Sequence, residues 1–98
     1  MFDNPHYITR GVQTEIDPLV QYAMWSMIER MPEPKDYLQI FTLSPAIVRS
    51  EQVQQIIHMQ EEPEYTSTVL MRCDSPCSQK IFVIDDGDHC TMLLAEEY

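Results

Sequence analysis

Asp85, Asp86, Asp88 and His89 form the densest group of potential ligands in the chain, with Gly87 among them and Cys90 directly after. Several carboxylates on one turn suit Mg²⁺ or Ca²⁺, which prefer oxygen donors. The spacing lacks the alternate acids and the distal Glu of an EF-hand loop, and no second Asp/Glu/His motif completes a metal-hydrolase set. Asp86-Gly87 already supplies the backbone geometry of a hairpin turn, so turn chemistry by itself explains these residue types. No cofactor or metal ion is expected. A divalent-metal-binding protein or metal-dependent enzyme built on Asp85, Asp86, Gly87, Asp88 and His89 stands as the alternative reading.

Cys73, Cys77, His89 and Cys90 are the second constellation. The first two lie on one turn, but Cys77 precedes the Lys80–Ile84 run and His89 follows its opposite end. A five-residue strand holds those ends ~17 Å apart, whereas zinc ligands converge to about 2–2.3 Å from the ion. An intrachain site using all four is therefore not expected. With three cysteines in all, the count is odd and argues against a closed disulfide framework.

Nucleophilic catalysis finds no support. There is no G-x-S-x-G elbow or glycine-rich phosphate loop, and His89 and Cys90, as strand neighbours, point to opposite faces. His58 reads as an exposed strand residue or a hydrogen-bonded packing residue rather than a base. Trp25 either seals a helix–sheet boundary or anchors a partner.

These residues must be held by a small set of elements. Ile81–Ile84 and Cys90–Ala95, joined through Asp85–Asp88, predict a hairpin within Lys80–Tyr98. Both runs are apolar on both faces, which places the hairpin centrally in a sheet. Asp17-Pro18 predicts a helix start, since Asp caps free N–H groups and Pro suits the first helical position. Val20, Met24, Met27 and Met31 form its apolar stripe, and Pro32 stops it. The methionines read as core packing. Tyr7–Arg10 reads as a short strand and Val12–Ile16 as a connector. Tyr37–Leu43 reads as a strand closed by Ser44-Pro45, followed by a loop through Ser50, with a second helix started by Ser44-Pro45 and carrying Val53, Ile56 and Ile57 as the alternative. A hairpin spans Gln54–Met71, and Cys73–Cys77 is a turn. The expected architecture is α+β, a single domain over residues 1–98. A mainly antiparallel sheet of five or six strands is covered on one face by the Asp17–Met31 helix, with Val83 or Ile84 against Met24 or Met27. An apolar second face would need cover, and a homodimer is one way to supply it.

Bulk properties narrow the functional classes. Sixteen acids against six bases give 98 residues a formal net charge of −10. That charge repels nucleic-acid phosphates and anionic membranes. It suits a protein partner with a basic surface. Met1–Pro5 has neither a basic nor an apolar leader region, and no run approaches the ~20 apolar residues of a membrane span. A cytoplasmic location is expected.

Several stretches carry a family likeness. They are Tyr7-Ile8-Thr9-Arg10-Gly11-Val12, Asp36-Tyr37-Leu38-Gln39, and Gln60-Glu61 with Pro63-Glu64-Tyr65. Ile81 to Gly87 and Met92 to Tyr98 complete the set. Taken in order, they resemble an uncharacterised family of small acidic proteins from Gram-positive bacteria, staphylococcal in type and catalogued as domain of unknown function nine-sixty. The resemblance implies a bacterial cytoplasmic protein and supplies no activity or catalytic residues. The reading adopted from the sequence is a non-enzymatic interaction or regulatory module. Its candidate surface comprises Trp25, Asp85, Asp86, Asp88 and His89.

Overall fold

A computed structural model describes residues 1–98. Six strands form one sheet: β1 (His6–Ile8), β2 (Leu38–Val48), β3 (Glu51–Gln60), β4 (Tyr65–Met71), β5 (Gln79–Asp85) and β6 (Cys90–Leu94). Helices α1 (Arg10–Glu15) and α2 (Pro18–Arg30) follow β1, and a 3₁₀ turn at Ala95–Glu97 ends the chain. The strand order is β1-β6-β5-β2-β3-β4. Every neighbouring pair is antiparallel except β1 with β6. The fold is α+β, as expected, and the C-terminal hairpin has strand neighbours on both sides.

The signals at α2 act as read. The Asp17 carboxylate accepts from the Leu19 N–H at 2.9 Å, Pro18 occupies the first turn, and Met31 ends the helix in extended geometry before Pro32. Val20, Met24, Met27 and Ile28 are buried, in one cluster with Phe41, Ile56, Ile81 and Val83. Each such side chain contributes about 1.5–3 kcal/mol by leaving water. Val83 shares this cluster with Met24 and Met27, whereas Ile84, next along the strand, faces the other side of the sheet.

Three local readings are corrected. Val12–Ile16 is not a connector: Arg10–Glu15 is helical, capped by the Thr9 hydroxyl on the Val12 N–H at 3.3 Å and anchored by fully buried Val12. A helix this short has too few turns to show a periodic pattern. The preceding strand accordingly stops at Ile8, because Thr9 serves as the cap.

The third correction concerns Ser44–Ser50, where β2 runs through Pro45 to Val48 instead of closing. β5 pairs only with Leu38–Leu43, so Pro45 falls where β2 has one free edge and a missing N–H is tolerated. The expected loop is a two-residue turn, Arg49-Ser50, with both residues at positive φ (52° and 67°) between the paired Val48 and Glu51. That is the backbone of a tight hairpin usually signalled by Asn-Gly. Neither residue type advertises it.

Candidate functional site

The acidic turn divides into residues with different tasks. Asp85 is buried on the helix-covered face, and its carboxylate accepts from the Phe2 N–H at 2.7 Å, the Gly87 N–H at 2.9 Å and the Asn4 amide at 3.2 Å. Burial opposes its charge, but these donors prevail and hold the carboxyl below its ordinary range. Asp85 thus clamps the N-terminal segment. Asp86 accepts from the N–H groups of His89 and Asp88, both at 3.1 Å, and those bonds hold its carboxyl low as well. His89 Nε2 lies 3.2 Å from Asp86, and its ring meets Tyr7 edge-on with centroids 5.5 Å apart. Gly87, at φ 101°, supplies the turn. No three His, Cys, Asp or Glu side chains are grouped so as to hold a metal ion.

Trp25 stands apart from this turn. It lies in the helix layer, half-buried against the core, with its ring stacked on His6 at 3.9 Å. The candidate surface read from sequence is therefore two places: the turn, and the flank of α2 that packs on His6.

The cysteines sit at opposite ends of β5, Cys73 and Cys77 before Gln79 and Cys90 opposite Asp85. Burial pushes up all three thiols. Asp17 and Asp74 add to this at Cys73, Cys73 with Glu15 and Asp17 at Cys77, and Asp85 at Cys90. Few thiolates form at neutral pH, which leaves them poor nucleophiles.

A buried polar network went unread in the sequence. Gln39, Gln54, His58 and Gln60 are at most 1% exposed on the helix-covered face. Gln54 binds both backbone groups of Cys77, at 2.9 and 3.1 Å, and Gln60 donates to Pro34 and Pro63 carbonyls. Gln60 Oε1 accepts from Gln39 Nε2 at 2.7 Å, and Gln39 Oε1 lies 2.7 Å from His58 Nε2. Because Gln39 offers an oxygen there, His58 carries its proton on Nε2, and its buried Nδ1 is left without a partner. Its ring stacks on Phe41 at 4.3 Å. Desolvation lowers its pKa from 6.5 to about 4. His58 is the hydrogen-bonded packing residue, not the exposed one, and these glutamines tether loops to the sheet. Only the alternation of β3 hinted at this arrangement.

The opposite sheet face has no layer over it. Leu38 and Ile40 of β2, Ile57 and Met59 of β3, and Phe82 and Ile84 of β5 share it by register. All six are partly or fully accessible. Glu51, Lys80 and Asp85 are the only charged residues in the six strands, and Asp85 faces the other way. The Tyr98 ring lies edge-on to Phe82, 5.6 Å away, at one margin.

Charge collects instead at the sheet's two ends. Asp36, Glu61, Glu62, Glu64, Asp86 and Asp88 all lie where β2 begins, β3 turns into β4 and β5 turns into β6. Arg49, Arg72 and Lys80 lie at the other end among Glu15, Asp17, Glu51 and Asp74, with Arg72 3.0 Å from Glu51, so that end is mixed in charge. The largest surface depression, about 640 Å³ between the N-terminal segment and Glu29 and Lys35, combines opposite charges and no convergent donor set.

Comparison with known proteins agrees with this architecture. A crystal structure of a protein of unknown function from Enterococcus faecalis superposes with a TM-score of 0.78 at 22% sequence identity, covering 98% of this chain and 92% of that one. At that identity the likeness concerns the fold alone. No curated protein matches the chain. The family model described as staphylococcal protein of unknown function (DUF960) matches residues 5–97, so the chain belongs to that family.

Proposed function

We propose that this protein is a non-enzymatic, cytoplasmic interaction module that docks a protein partner on its uncovered sheet face. The observation that carries the proposal is the pairing of an apolar face, nearly free of charge, with an acidic rim at one end. A contiguous apolar patch bordered by polar residues is what a docking surface presents. Six acids at the Asp36, Glu61–Glu64 and Asp86–Asp88 turns define the partner's chemistry: an apolar surface flanked by lysine or arginine. The rim would steer encounter and the face would hold the complex. Asp86, Asp88 and His89 belong to this rim, and Asp85 supports it from beneath.

The test is affinity capture from the native cytosol with three baits: the unaltered chain, Phe82→Asp, and Asp86→Lys with Asp88→Lys. A partner retained by the first, lost with Phe82→Asp and released more readily by salt with the lysine pair supports the reading. A partner held equally by all three, or none at reduced salt, would sink it.

A further inference from the structure

The sheet ends in two unlike edges. β1 offers three residues, whereas β4 offers seven, paired with β3 on one side and with no strand on the other. Edge strands are ordinarily protected by charge, proline, a bulge or brevity. β4 has none of these. Its Tyr65–Met71 sequence holds no charged residue and no proline, and its register with β3 runs unbroken from Gln60↔Tyr65 to Gln54↔Met71.

We propose that β4 pairs with β4 of a second copy of this chain, antiparallel about a two-fold axis that crosses the sheet at Thr68. The two sheets then become one, with about six to eight new backbone hydrogen bonds along the joined edges. An axis perpendicular to the sheet keeps both helix layers on one side and both uncovered faces on the other. The inference concerns a different surface from the docking face and does not rest on it.

Self-complementarity argues for a second copy over any other extended strand. With Thr68 on the axis, Thr66 opposes Leu70, Tyr65 opposes Met71, and Glu64 opposes Arg72, each twice by symmetry. Directly opposed residues share a face and bring their Cβ atoms within ~4.5–5.5 Å. An axis at Ser67 would set Glu64 against Leu70, and one at Val69 would set Arg72 against Thr66. The Thr68 register alone joins Glu64 to Arg72, in a network that already includes Glu51. Antiparallel pairing also lays the acidic end of one copy beside the mixed end of the other, where Arg49 and Arg72 stand among Glu51 and Asp74, and so keeps the two acidic ends apart. That matters for a chain of net charge −10, whose copies otherwise repel. A parallel arrangement would bring like ends together.

Sedimentation equilibrium of the whole chain over about 1–100 µM tests this, with dissociation constants read as free-energy differences. The expected species is a dimer of twice the 11.5 kDa chain mass. Thr68→Lys, at an exposed position, sets two ammonium groups together on the axis and is expected to weaken the dimer at least about tenfold while leaving the circular dichroism spectrum unchanged. Arg72→Glu is expected to weaken it too, and Glu64→Arg combined with Arg72→Glu to recover most of the loss. Phe82→Asp, on the uncovered face, is expected to leave it intact. A monomer throughout the range overturns the proposal. So does a dimer that survives Thr68→Lys, or one abolished by Phe82→Asp alone, which would place the contact on the open face.

Discussion

Lowering the pH from 7 to 5 is expected to destabilise this protein through His58, a residue with no acidic or basic neighbour in its hydrogen-bond network. The folded state holds the ring neutral, with its pKa lowered from 6.5 to about 4 by desolvation. Protonation would place a second N–H on Nδ1, which is buried and has no acceptor. In the unfolded chain the ring protonates near 6.5, so below that pH the unfolded state binds a proton the folded state refuses. The stability present above the unfolded value is therefore lost as pH falls toward the folded one. By linkage the loss between pH 7 and pH 5 is about 2 kcal/mol, reaching about 3 kcal/mol once pH passes below 4. For a domain of this size that lowers the melting temperature at pH 5 by roughly 10 °C. Asp85 has a separate window, because a carboxyl held below its ordinary 3.8 loses its contribution only at lower pH. The assay is urea denaturation followed by circular dichroism at half-unit pH steps, on the wild type and His58→Gln. Glutamine keeps a donor toward Gln39 and does not titrate. The variant is expected to be less stable at pH 7 by about 1–2 kcal/mol, since the stack on Phe41 is lost. Its stability should then vary far less between pH 7 and 5, so that the two curves converge. A wild type no more pH-dependent than the variant, or a native His58 ring titrating near 6.5 by NMR, would refute the reasoning.

Asp85→Asn is expected to cost about 1–3 kcal/mol, because a neutral amide replaces a buried carboxylate that accepts three hydrogen bonds. Amide exchange at Phe2 should accelerate in that variant more than exchange in β3. Gly11→Ala should destabilise by about 1 kcal/mol despite alanine's better helix propensity, measured by the urea midpoint. The added Cβ would meet Leu94 Cδ1 at 2.8 Å, and buried Leu94 has little room to withdraw. An unchanged or raised midpoint would show that Leu94 and Glu97 yield freely. Iodoacetamide at pH 7.5 should label native Cys90 only at the rate of unfolding, since it is fully buried with a raised pKa. Cys73 and Cys77 should react slowly, and all three promptly in urea. Rapid native labelling of Cys90 would contradict its burial.

Several features were legible because a local rule determines them. Asp17-Pro18 started α2 and Pro32 ended it, since capping and the loss of an N–H act within a few residues. The Met24–Met27–Met31 stripe foretold burial because helical periodicity faces it one way. Asp86-Gly87 marked a turn because glycine accepts positive φ without a Cβ penalty. The apolar residues on both faces of Ile81–Ile84 announced an internal strand. The misread segments lacked such rules. Arg49 and Ser50 hold positive φ because the strands on either side are paired and impose it. Pro45 continues a strand because β5 stops short of it.

What the sequence determined by itself is the inventory: one amphipathic helix, strand runs poor in charge, an acid-rich hairpin turn, and a family likeness spread along the chain. Only the tertiary structure decided which groups meet. It placed Asp85 beneath the N-terminal segment, 83 residues from Phe2 in sequence, and so made a clamp of a residue that reads as a ligand. It gathered turns distant in sequence into one acidic end, put Glu64 and Arg72 at opposite ends of an unprotected edge, and left one sheet face without a layer. The reason is physical. Strand order and register depend on long-range pairing, and a one-residue change of register would send every side chain of a strand to the other face.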